Sequence, residues 1–146
     1  MPLERAVITA VCAEHAARIS ALVPGAQVEL SGSALVPALR ADDVDLVLLS
    51  DDVLATADVL VAAYSPLYPE NWSDDWAALR IPGPPQVDVV VTRAGSWGDK
   101  LHRGTWVLIC ERVDLQDEYR AIKEEPAAYA ERKGAFFERV LALLDD

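Results

Sequence analysis

The chain has 146 residues, 52% of them hydrophobic and 25% charged, which suits one packed domain over residues 1–146 and excludes wholesale disorder. Thirteen basic against 24 acidic residues leave a formal charge of −11, which argues against a long nucleic-acid partner but leaves room for a small phosphorylated ligand. The longest apolar runs, Val44 to Leu49 and Val87 to Val91, are too short for a bilayer and carry Asp in their interior.

From Leu3 to Val23 apolar residues recur at helical spacing, and Pro24-Gly25 ends that helix. Gln27 to Ser31 alternates polar and apolar, predicting a half-buried strand. A short turn or helix follows at Ala34 to Leu39. Val44 to Leu49 is the most strand-like run, after which Ser50 or Asp51 caps a helix to about Tyr64. Pro66, Pro69, Asn71 and Ser73, with Trp72 and Trp76, predict a loop, and Gly83-Pro84-Pro85 a turn. Gln86 to Thr92 reads as a third strand. Helices are expected over much of Asp99 to Arg112, from Asp114 to Glu125 and from Ala127 to Leu144. This order predicts an α+β fold, a small mixed β-sheet flanked by helices with a helical C-terminal segment.

Asp45 and Asp88 each interrupt a strand that should be buried, where a lone charge costs several kcal/mol. Asp43 lies two residues before Asp45, on the same face of an extended chain. Three carboxylates facing one cleft would repel, and a hard cation, Mg²⁺ or Mn²⁺, would relieve them. The alternative is that they face solvent on an open sheet face. Upstream, Gly32-Ser33 at a strand end offers backbone N–H groups and a hydroxyl to a phosphate. Cations for such a ligand are sought among Arg40, Arg93, Lys100, His102, Arg103 and Lys133. Arg40 is the nearest in sequence, between the two halves of the pattern.

His15 and His102 lack partners at zinc-ligand spacing, and Ser33 lacks a nucleophile-elbow context. Trp72, Trp76 and Trp97 either pack on the sheet or stack on a base. Cys12 and Cys110 sit in apolar stretches and read as buried free thiols of a reducing cytosol. Met1 to Arg5 leads straight into the amphipathic pattern, as expected of a cytoplasmic protein without a leader.

Gly32-Ser33, a nine-residue spacer and Asp43-Val44-Asp45-Leu46, with Asp88 in a later strand, resemble the signature of the DNA polymerase beta-type nucleotidyltransferase superfamily. Gly32-Ser33-Ala34-Leu35-Val36-Pro37-Ala38-Leu39 is similar to a motif of its GrpB family, as are Tyr119 to Lys123 and Tyr129 to Phe136. The chain departs from that family at Asp42-Asp43, where the pattern has Lys-Pro, and at Asp88, where His-rich residues are usual. The resemblance implies transfer of a nucleotide from a nucleoside triphosphate to an unidentified small-molecule or protein hydroxyl or amine. It implies Asp43 and Asp45 as catalytic metal ligands, Asp88 near the attacking hydroxyl as second-metal ligand or general base, and Gly32, Ser33 and Lys133 as nucleotide contacts, to which sequence proximity adds Arg40. It leaves open a catalytically silent domain that only binds a nucleotide or a phosphorylated ligand, and an interaction domain with an acidic surface. Little sequence lies outside the core, so a second copy or a partner chain is expected to complete the cleft.

Overall fold

A computed structural model describes residues 2–145. Helix α1 (Arg5–Leu22) leads into strand β1 (Val28–Ser31) and the one-turn helix α2 (Gly32–Leu35). Strand β2 (Val44–Leu49) has the bounds expected from its apolar run. Helix α3 (Val53–Leu60) is shorter than expected, and Asp52 caps it, accepting the Ala55 N–H at 3.3 Å. Ser50 instead accepts the Asp52 N–H at 3.0 Å.

The segment read as loop holds two strands, β3 (Ser65–Leu67) and β4 (Trp76–Ile81). Ala77, Ala78, Leu79 and Arg80 have little intrinsic strand preference. They are held extended by the neighbouring ladder, and Ala77, Ala78 and Leu79 are buried. Strand β5 (Val87–Thr92) follows, then helices α4 (Trp97–Asp99), α5 (Thr105–Glu111), α6 (Val113–Glu124) and α7 (Tyr129–Leu144). A π-helical turn at Lys100–Gly104 joins α4 to α5.

The sheet runs β1-β2-β5-β4-β3; β2 and β5 are parallel and the other pairs antiparallel. Alternation gives it two unlike faces. Val44, Leu46, Leu48, Ala77, Leu79, Val87, Val89 and Val91 join Val11, Ile19, Val53, Ala57 and Leu60 in the main core, under α1 and α3. A second core joins Trp106, Ile109, Leu115, Tyr119, Ile122, Phe136 and Val140 of the C-terminal helices to Val36 and Leu39, just after α2.

Cys12 is half-buried against the main core and Cys110 is exposed, correcting the expectation of two buried thiols; both are free. Among the described residues no helix is long and apolar enough to cross a membrane.

Candidate functional site

The other sheet face carries the polar residues. Across one row of the ladder, Ser31 pairs with Asp45, Asp45 with Asp88, Asp88 with Arg80 and Arg80 with Ser65. Residues in register on neighbouring strands share a face, so Asp45 and Asp88 stand side by side. Asp43 lies two residues before Asp45, just ahead of β2. Its charge is felt at Asp45, whose pKa is pushed up from 3.8 to about 6 by burial first, then by Asp88 and Asp43. Lys133 and Arg80 oppose that rise.

Asp88 is differently placed. Arg80 Nε donates to its Oδ1 at 2.7 Å and Arg80 Nη2 to its Oδ2 at 3.0 Å, a bidentate fork. Sequence reasoning missed Arg80, because its place opposite Asp88 depends on β4 being a strand.

Gly32 opens α2 with φ +66°, and a Cβ there would lie 2.3 Å from Asp45 Oδ2. Only glycine allows both this backbone and this approach. Gly32→Ala is therefore expected to cost at least about 2 kcal/mol, from left-handed strain and displacement of the Asp45 carboxylate. A fall in the urea midpoint at unchanged slope would check it; an unchanged midpoint would refute the close approach.

A cleft of about 390 Å³ opens over this end of the face. Ser31, Gly32, Ser33, Asp42, Asp43 and Asp45 form one wall, and Lys123, Tyr129, Lys133 and Phe137 belong to the other. Tyr129, Lys133 and Phe137 are four residues apart on α7, hence on one stripe. Lys133 lies 5.6 Å from the Tyr129 ring centre, and Lys123 on α6 lies 5.7 Å from that of Tyr119. Trp106 closes the floor, edge-on to Tyr119 with centroids 5.1 Å apart. Lys123 and the aromatic residues were not legible as site residues, because helical spacing alone equally describes a packed helix.

His102, in the π-turn, lines the same cleft. Burial lowers its pKa to about 4, and its Nε2 accepts the Trp76 Nε1–H at 3.1 Å, so the ring is neutral. Its carbonyl accepts the Ser31 hydroxyl.

The remaining candidates lie elsewhere. Arg40 pairs with Asp42 at 3.2 Å and lines a neighbouring hollow outside this cleft, so sequence proximity misplaces it. Arg93 pairs with Asp75, Lys100 with Asp145, and Arg103 with Asp99 and Glu29. Trp72 donates to the Leu67 carbonyl at 3.0 Å and packs against the main core, while Trp97 is 63% exposed.

Among the described residues no three His, Cys, Asp or Glu side chains are already grouped to hold a metal ion. Asp43 and Asp45 nonetheless supply the hard oxygens that Mg²⁺ prefers, and Mg²⁺ takes few protein ligands when water and phosphate complete its shell. The donor chemistry of these two carboxylates fits such an ion; Asp88 is engaged by Arg80.

No protein-family model matches the sequence, and comparison with curated proteins finds no significant relative. Solved structures do match. A conserved GrpB protein of Enterococcus faecalis superposes with a TM-score of 0.77 at 18% identity, over 99% of this chain and 95% of that one. A cytoplasmic RNA terminal U-transferase matches with a TM-score of 0.55 at 16% identity, over 82% of this chain and 36% of that one. The Cid1 poly(U) polymerase, as an H336N mutant bound to MgATP, matches with a TM-score of 0.52 at 13% identity, over 78% of this chain and 38% of that one. The chain thus spans little more than a third of the length of these two transferases. Its fold is that of GrpB and of the nucleotidyltransferases.

Proposed function

We propose that the cleft binds a nucleoside triphosphate with a divalent cation, and that the chain transfers the nucleotide to a hydroxyl or amine of an acceptor. The observation that carries this reading is the row of carboxylates: Asp45 and Asp88 in register on parallel strands, Asp43 beside them, Gly32 against Asp45. Asp43 and Asp45 would hold Mg²⁺ or Mn²⁺, which when bound neutralises phosphate charge and stabilises the oxygens of an in-line displacement. The Gly32-Ser33 turn faces the phosphates, and Lys133 and Lys123 meet them from the opposite wall. Asp88 lies on the acceptor side, where it holds the Arg80 guanidinium. The acceptor is small or is a side chain of a protein, and a second copy or a partner encloses it. Free thiols, one of them exposed, fit a cytoplasmic setting.

One observation favours a second reading. With both Asp88 oxygens held by Arg80, the cleft could bind a nucleotide without transferring it.

Paired melts and product analysis separate the two. Mg²⁺ with a triphosphate at about a hundred times its Kd should add about 2.7 kcal/mol of stability, which neither component adds alone. Release of pyrophosphate with labelling of an acceptor pool supports transfer. A melting shift without pyrophosphate favours the silent binder. No shift with any triphosphate at millimolar concentration overturns both.

A further inference from the structure

The row Asp45, Asp88, Arg80 bears on how many metal ions the cleft takes. Arg80 stands opposite Asp88 in the β4–β5 ladder, so strand register rather than a loop delivers it. Its two nitrogens occupy both Asp88 oxygens, at 2.7 and 3.0 Å. The pair is partly shielded, with side-chain exposures of 36% for Arg80 and 19% for Asp88. A guanidinium stays charged at any physiological pH, so it cannot yield by losing a proton.

Asp88 also borders a different space. It lines a hollow of about 190 Å³ with Leu67, Tyr68, Trp76 and Arg80, whereas Asp43 lines the main cleft and not this hollow; Asp45 borders both. A second cation shared by Asp45 and Asp88 would have to strip Arg80 from two oxygens and then lie beside its positive charge. At such separations like charges repel strongly where water is partly excluded.

Resting on the nucleotide-site reading above, we propose that the chain binds a single divalent cation, on Asp43 and Asp45, and that the Arg80 guanidinium stands in for a second. Asp88 is then the counter-ion of Arg80 and no metal ligand. Arg80 supplies, from the protein itself, a fixed positive charge on the acceptor side of Asp45.

The test counts Mn²⁺ by electron paramagnetic resonance on the full chain, with non-hydrolysable ATP and UTP analogues in turn. The wild type is expected to bind one Mn²⁺ per chain, with a signal free of exchange coupling. Arg80→Gln is expected to bind a second and to show coupling. The charge-balanced double variant Arg80→Gln with Asp88→Asn should bind one ion, its affinity within about threefold of wild type, because neither residue touches the ion or its ligands; loss even of an outer-shell partner costs about tenfold or more. Two coupled ions in the wild type overturn the inference and leave the nucleotide-site reading standing. A tenfold loss in the double variant makes Asp88 part of the metal site and overturns it as well. A soluble Arg80→Gln that still binds one ion removes the role given to Arg80. Absence of both Mn²⁺ and analogue binding overturns the nucleotide-site reading and the inference together. If Arg80→Gln does not fold, the wild-type count and the double variant decide.

Discussion

Asp45→Asn should make the ligand-free chain more stable at neutral pH and abolish its response to Mg²⁺ with a triphosphate. Burial and two neighbouring carboxylates raise the Asp45 pKa from 3.8 to about 6. A carboxyl that is harder to ionise when folded favours the fold while protonated. That contribution is fully present below the unfolded pKa and is lost as pH rises through about 6. Above pH 6 the ionised carboxylate is therefore a cost, on the order of 2–3 kcal/mol for a shift of about two units. An isosteric amide carries no charge and escapes it. The variant should melt higher than wild type at pH 7.5, and the difference should vanish toward pH 4. Ligand-dependent stabilisation should disappear, since one of the two available metal ligands is gone. Melts of both proteins across that pH range, with and without Mg²⁺ and nucleotide, check this. A variant that loses ligand-free stability at pH 7.5 would make Asp45 a structural acceptor and remove it from the site.

The carboxylate row was legible because two signals agreed. Charges inside apolar β-branched runs mark both strands and the position along each, and strand alternation assigns Asp43 and Asp45 to one face. The ladder then sets Asp45 opposite Asp88. Arg80 was not legible. Trp76 to Ile81 alternates weakly, and Ala, Leu and Arg are better helix formers than strand formers. Only its partner strands keep the segment extended, and that is information from outside it. Arg40 failed for the converse reason: twelve residues of chain lie between β1 and β2, and Arg40 ends in a neighbouring hollow, paired with Asp42. Lys133 entered through the tail resemblance and does line the cleft. Lys123 carries the same local signal but faces the cleft only because α6 docks on α7.

That docking is where the last large effect is expected. Phe136→Ala should cost about 3–5 kcal/mol, the range for truncating a fully buried Phe. Phe136 is 0% exposed and lies at the centre of the second core. Its ring lies 5.8 Å from Tyr119 and 5.2 Å from Phe137, and Arg139 sits over it at 6.0 Å. The cavity left behind would loosen α7 against α6, and with it the wall bearing Lys133, Tyr129 and Lys123. Asp45 stands on β2, whose apolar side belongs to the main core, so it need not move, whereas α2 leans on the opened core through Leu35 and Val36. The variant should therefore lose nucleotide-dependent stabilisation as well as ligand-free stability. Urea titration gives the first quantity as a lowered midpoint, and paired melts with Mg²⁺ and a triphosphate give the second. Should Phe136→Ala lose its stability yet keep the full ligand shift, the helical wall would have no part in binding, and the site would reduce to the sheet face and the Gly32-Ser33 turn.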